Sequence, residues 1–161
     1  MKDETRILEE IGLAVEGTGS RQSRVGRVAG IIRRAGGYRW VGIYDVANGE
    51  ISIVAWDGPG KPAHPRFHVS QGLCGDAVRH GETVLVSDVT KDPRYLTTFG
   101  STRSEIVVPI LDPRTGRALG TMDVESEKRD AFGGEDRAFL ERSADELARH
   151  GFSGLPVGGS W

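Results

Sequence analysis

The chain has 161 residues, of which 37% are hydrophobic and 27% charged, with a formal net charge of −2. That length suits one domain with its own core, and near-neutral charge argues against bulk nucleic-acid binding by phosphate neutralisation. A single cysteine, Cys74, excludes an internal disulfide, a cysteine-rich zinc site and any reaction needing two thiols from one chain.

The start, Met1-Lys2-Asp3-Glu4, is acidic and lacks the apolar core of a secretory signal. No apolar run approaches the roughly 18 residues of a membrane span, so neither a membrane nor a nucleic-acid partner is expected and a cytoplasmic protein is. The apolar stripe Ile7, Leu8, Ile11, Ala14 and Val15 predicts an amphipathic helix over 4–16. Gly17 to Ser20 breaks it. Ser20 is placed to cap a second helix, which carries Val25, Val28, Ala29 and Ile32 and ends at Gly36-Gly37.

The period then changes. Tyr38 to Val46 and Ile51 to Trp56 read as strands joined by an Asn48-Gly49 hairpin turn. After the Gly/Pro loop 57–62 come a short strand, Arg66 to Ser70, a short helix, Cys74 to His80, and another strand, Thr83 to Val86. An irregular stretch runs from Asp92 to about Arg103. Two strands follow, Glu105 to Leu111 and Ala118 to Glu125, around Asp112-Pro113-Arg114-Thr115-Gly116. A last helix spans Gly134 to His150. Hairpins with helices at both ends define an α+β layer fold. Residues 1–150 are expected to form one domain, with a flexible Gly/Pro-rich tail over 151–161.

The last hairpin carries the most chemistry. Ile106, Val108 and Ile110 share one strand face with Gly120, Met122 and Val124, leaving Glu105, Asp123 and Glu125 on the opposite face. A five-residue loop pairs Leu111 with Arg117, which sets Glu105 opposite Asp123 with Glu125 diagonal. Carboxylates that close repel unless something positive sits among them. They form either a solvated outer face covered by an arginine or lysine, or a site for an ammonium, a guanidinium or a metal. No helical or loop ligand spacing supports a metal, so none is expected. Trp40 and Tyr44 share a face with Gly42 between them. They make either an aromatic wall with room at its centre, favourable to a cation, or plain core packing.

Five segments recur together in one order: Trp40-Val41-Gly42-Ile43-Tyr44, Gly60-Lys61-Pro62-Ala63, Gly72-Leu73-Cys74-Gly75, Ser104-Glu105-Ile106-Val107-Val108-Pro109 and Gly120-Thr121-Met122-Asp123-Val124-Glu125-Ser126. Over about residues 5–149 the chain resembles a GAF domain of the free methionine-(R)-sulfoxide reductase branch. The resemblance implies a six-stranded antiparallel sheet with helices on one face and a ligand pocket on the other, and a homodimer. It also implies a pocket walled by Trp40 and Tyr44, with Glu105, Asp123 and Glu125 holding the ammonium of an amino-acid-like ligand. No cofactor is implied.

Thiol reduction of a sulfoxide needs an attacking thiolate and a second, resolving thiol. The family pattern has three cysteines. This chain has His64 at the first, Cys74 at the second and about Thr98 at the third, the usual nucleophile. Cys74 would act only with an external thiol, helped by its place at a helix start, where the dipole lowers a thiol pKa. The four histidines, His64, His68, His80 and His150, are expected to be structural or exposed. The leading expectation is a small-molecule binding module without thiol catalysis. The alternatives are a reductase using Cys74, and a signalling sensor acting through a partner; the acidic site disfavours phosphate-bearing ligands.

Overall fold

The computed structural model describes residues 3–152. Helix α1 (Glu4–Glu16) and α2 (Arg21–Gly36) lead into strands β1 (Trp40–Ala47), β2 (Glu50–Asp57) and β3 (Arg66–His68). Helix α3 (Gly72–His80), β4 (Val84–Val86), β5 (Ser104–Leu111), β6 (Ala118–Ser126) and α4 (Gly134–Arg149) complete the order, with a 3-10 turn at Val89–Lys91. The predicted punctuation explains these boundaries. Ser20 accepts a hydrogen bond from the Ser23 amide, 3.1 Å, and starts α2. Asn48 and Gly49 both take positive φ, 53° and 78°, the pair of conformations a type I′ hairpin turn requires.

The six strands form one antiparallel sheet in the order β3-β2-β1-β6-β5-β4. Alternation along β1, β5 and β6 sends Val41, Ile43, Ile106, Val108, Ile110, Met122 and Val124 to one face. There they pack with Ile11, Val28, Ile32, Phe139, Leu140 and Leu147 of α1, α2 and α4. On the other face Trp40, Tyr44, Ile51 and Val107 pack with Leu73, Cys74 and Ala77 of α3. The helices are therefore not all on one face: three cover the larger core, and α3 closes the side where the acidic residues lie.

Two expectations need correction. Leu111 pairs with Ala118 and not Arg117, so the loop is one residue longer than expected, and between Ile110 and Leu111 the β5–β6 register shifts by one more position. Loop and bulge together displace the pairing by two positions, which keeps the faces. Glu105 consequently opposes Glu125, while Asp123 opposes Val107, diagonal to Glu105. Phe152, assigned to the tail, is buried in the main core. Its amide donates to the Leu147 carbonyl, 2.9 Å, and its ring lies 4.7 Å from the Arg21 guanidinium carbon. The rest of that tail, 153–161, lies outside the described residues.

Candidate functional site

The site lies on the α3 side of the central three strands. Glu105 of β5 and Asp123 and Glu125 of β6 are 3%, 2% and 1% exposed. β1 runs beside β6, pairing Trp40 with Glu125 and Gly42 with Asp123, so the aromatic wall stands next to the carboxylates. All five sequence-predicted residues are thus brought together. The solvated-face alternative fails on burial, and none of the ion pairs among the described residues reaches the three acids.

Buried polar atoms without partners are costly. Oxygens of Glu105 (Oε2), Asp123 (Oδ1) and Glu125 (Oε1) make no hydrogen bond. Burial, then repulsion from Asp123 and Glu125, pushes the Glu105 pKa well up. Burial also raises Asp123, to about 6. Glu125 rises through burial and the Asp123 charge, partly offset by the Thr102 hydroxyl, which donates to Oε2 at 2.5 Å. Three acids held this way favour anything that brings positive charge among them.

The aromatic wall differs in detail from the expectation. The space over Gly42 is occupied by the Trp40 indole: a Cβ there would sit 2.2 Å from the ring carbon Cη2. The indole N–H donates to the Gly60 carbonyl, 3.1 Å, and Phe99 meets the ring edge-on with centroids 5.3 Å apart. Gly42→Ala is expected to cost about 1–3 kcal/mol in urea unfolding by forcing the indole aside. A loss below about 0.5 kcal/mol would show that the ring yields freely.

Beside the carboxylates lies a small cavity, about 10 Å³, comparable with the room one water needs. Tyr44, Cys74, Glu105 and Asp123 line it, together with His64 and Thr98. The positions where the resemblance expects three cysteines therefore converge on one space, although two of them carry no thiol. The covering loop is tied down. The Thr98 carbonyl accepts from the Ala63 amide, 3.3 Å, and Arg94 bonds both Asp76, 2.5 Å, and Asp92, 2.7 Å.

Cys74 sits in the first turn of α3, as predicted, but its thiol does not gain thiolate character. Burial, with the Asp123 and Glu105 charges, drives its pKa well above the ordinary thiol value, outweighing the helix dipole. Sequence reasoning missed Thr102, which is 4% exposed and fixes Glu125. It lies in an irregular stretch where no periodicity reports which way a side chain points.

The chain matches the GAF domain family over residues 20–150 and belongs to that family. Within it, the chain is related to free methionine-R-sulfoxide reductases. It is 36% identical over 106 residues to the Saccharomyces cerevisiae protein of that name, covering 65% of this chain and 58% of the yeast protein. The match thus spans less than two thirds of that relative's length. A solved type II free methionine-R-sulfoxide reductase from Thermoplasma acidophilum superposes with a TM-score of 0.75 at 33% identity, covering 89% of this chain and 94% of that one. The Neisseria meningitidis free methionine-R-sulfoxide reductase, solved in complex with its substrate, gives 0.80 at 30% identity, covering 91% and 87%. No helix among the described residues is long and apolar enough to cross a membrane.

Proposed function

We propose that this chain binds a small amino-acid-like ligand through its ammonium group and does not reduce it by thiol chemistry. One observation carries the reading: Glu105, Asp123 and Glu125 are buried together with unpartnered oxygens. An ammonium has three N–H donors for such oxygens, and charge-assisted bonds are the strong ones. Trp40 and Tyr44 supply an apolar and aromatic flank. The cavity has room for about one water, so binding an amino acid requires its lining to move apart.

A reductase acting through Cys74 with an external thiol is the second reading, favoured by the names of the relatives and by the place of Cys74 on the cavity. Against it stand the raised thiol pKa and the His64 and Thr98 side chains at the other two positions. The test is calorimetric titration with L-methionine and free methionine-(R)-sulfoxide, followed by turnover with dithiothreitol or thioredoxin. Binding that Glu105→Gln weakens, without turnover, is the expected result. Turnover lost in Cys74→Ser would replace this reading by the second. No binding of either amino acid would reduce the three carboxylates to a structural cluster.

A further inference from the structure

We propose that Cys74, Glu105 and Asp123 also form a binding site for a divalent ion of the zinc class, held by one thiolate sulfur and two carboxylate oxygens. The inference rests on the reading of these carboxylates as a cation site, and goes beyond it by adding the thiol as a ligand. One ligand atom from each residue lies within 4.8 Å of the other two. Ligands around a zinc-sized ion, at about 2.0–2.3 Å from it, stand roughly 3.5 Å from one another. Side-chain shifts of about an ångström would therefore close the set without moving the strands.

The orphaned oxygens give an independent reason to expect an ion. Glu105 Oε2 and Asp123 Oδ1 are buried, make no hydrogen bond, and belong to residues lining the cavity. The cavity's size also favours an ion over any organic group: about 10 Å³ admits one water or one ion. Three protein ligands leave a zinc-class ion one coordination position open, as in zinc sites that are not closed by four side chains. The sulfur selects the ion type, since thiolates favour zinc-like ions and magnesium and calcium prefer all-oxygen sites. On coordination the S–H bond breaks, a metal–sulfur bond forms, and the thiol proton passes to solvent. No oxidation state changes.

Cobalt(II) is the probe, because a cobalt–thiolate bond gives a near-ultraviolet charge-transfer band that oxygen and nitrogen ligands do not. The chain has one cysteine, so such a band in the intact protein reports Cys74 alone. The expected result is a band that saturates at one cobalt per chain, is bleached by zinc, and is lost in Cys74→Ser and in Asp123→Asn. Cobalt uptake without the band, no uptake, or a band surviving in Cys74→Ser would each overturn the site. If Cys74→Ser does not fold, the band of the unaltered protein and its bleaching by zinc still decide. Calorimetry of the metal-free protein with L-methionine separates the two ideas. Methionine binding without the cobalt band overturns the metal site and leaves the amine reading standing. The band without methionine binding does the reverse.

Discussion

Glu105→Gln is expected to stabilise the metal-free, ligand-free protein by about 1–3 kcal/mol at pH 9 while weakening an ammonium ligand roughly tenfold to a hundredfold. The two effects have one cause. Glu105 faces Glu125 directly and Asp123 diagonally, all three nearly inaccessible to water. Glutamine keeps the shape, removes one charge, and offers two N–H donors to the neighbouring carboxylates. The pKa values of all three acids are raised in the folded state. The native chain then holds more protons than the unfolded one above about pH 4, where free carboxylates titrate. Stability is full below that range and falls as pH rises through the folded values. At pH 5 the native site still holds most of its protons, and the gain from glutamine should shrink towards zero.

Thermal unfolding at the two pH values, with a chelator present, checks this prediction. Each kcal/mol moves the midpoint by about 2–4 °C in a chain of this size. A glutamine variant less stable at pH 9 would mean that the carboxylate has a favourable partner, and the account of mutual repulsion would fall. Stability gained with binding lost is the pattern of a site that accepts local strain for function. A purely structural cluster would gain stability with nothing to lose.

The part of this site that was legible in the sequence was what a period of two can report. Alternation in Glu105–Ile110 and Gly120–Glu125 assigned three carboxylates to one face, and that parity survived a two-position error in the register. Half of the error came from a loop one residue longer than expected and half from a bulge next to Leu111, neither of which leaves a mark on the apolar pattern. The aromatic wall was visible as Trp40, Gly42 and Tyr44. That the indole would fold over Gly42 was not, because rotamers are set by neighbours such as Phe99 from a distant loop. Cys74 shows the same limit in its chemistry. Its helix position favours a thiolate, and only the tertiary structure shows that burial and two carboxylates outweigh that. Phe152 lay beyond the last periodic residue and carried no pattern at all; its place depends on core packing and on contacts such as that with Arg21, 131 residues earlier in the chain.

That same contact ends in an ion pair whose loss should be among the more damaging single changes. Arg21→Met is expected to destabilise the fold by about 3 kcal/mol, the lower end for breaking a buried pair, because the arginine keeps some access to water. Asp45 is 1% exposed on the helix-facing side of β1, between Ser52 of β2 and Gly120 of β6. Arg21 opens α2 and grips both carboxylate oxygens, each at 2.6 Å. Bidentate geometry favours the charged pair. Methionine keeps the length of the side chain but leaves the Asp45 charge without that partner. It also removes the guanidinium that lies against Phe152. Urea denaturation measures the loss. A fall below about 1 kcal/mol would place the pair with ordinary surface bridges. Adding Asp45→Val to Arg21→Met should restore most of the stability, since a buried pair replaced by apolar side chains of similar volume is often neutral or better. If the double variant is no more stable than Arg21→Met alone, the damage comes from lost packing on Phe152, and the stranded charge is not its cause.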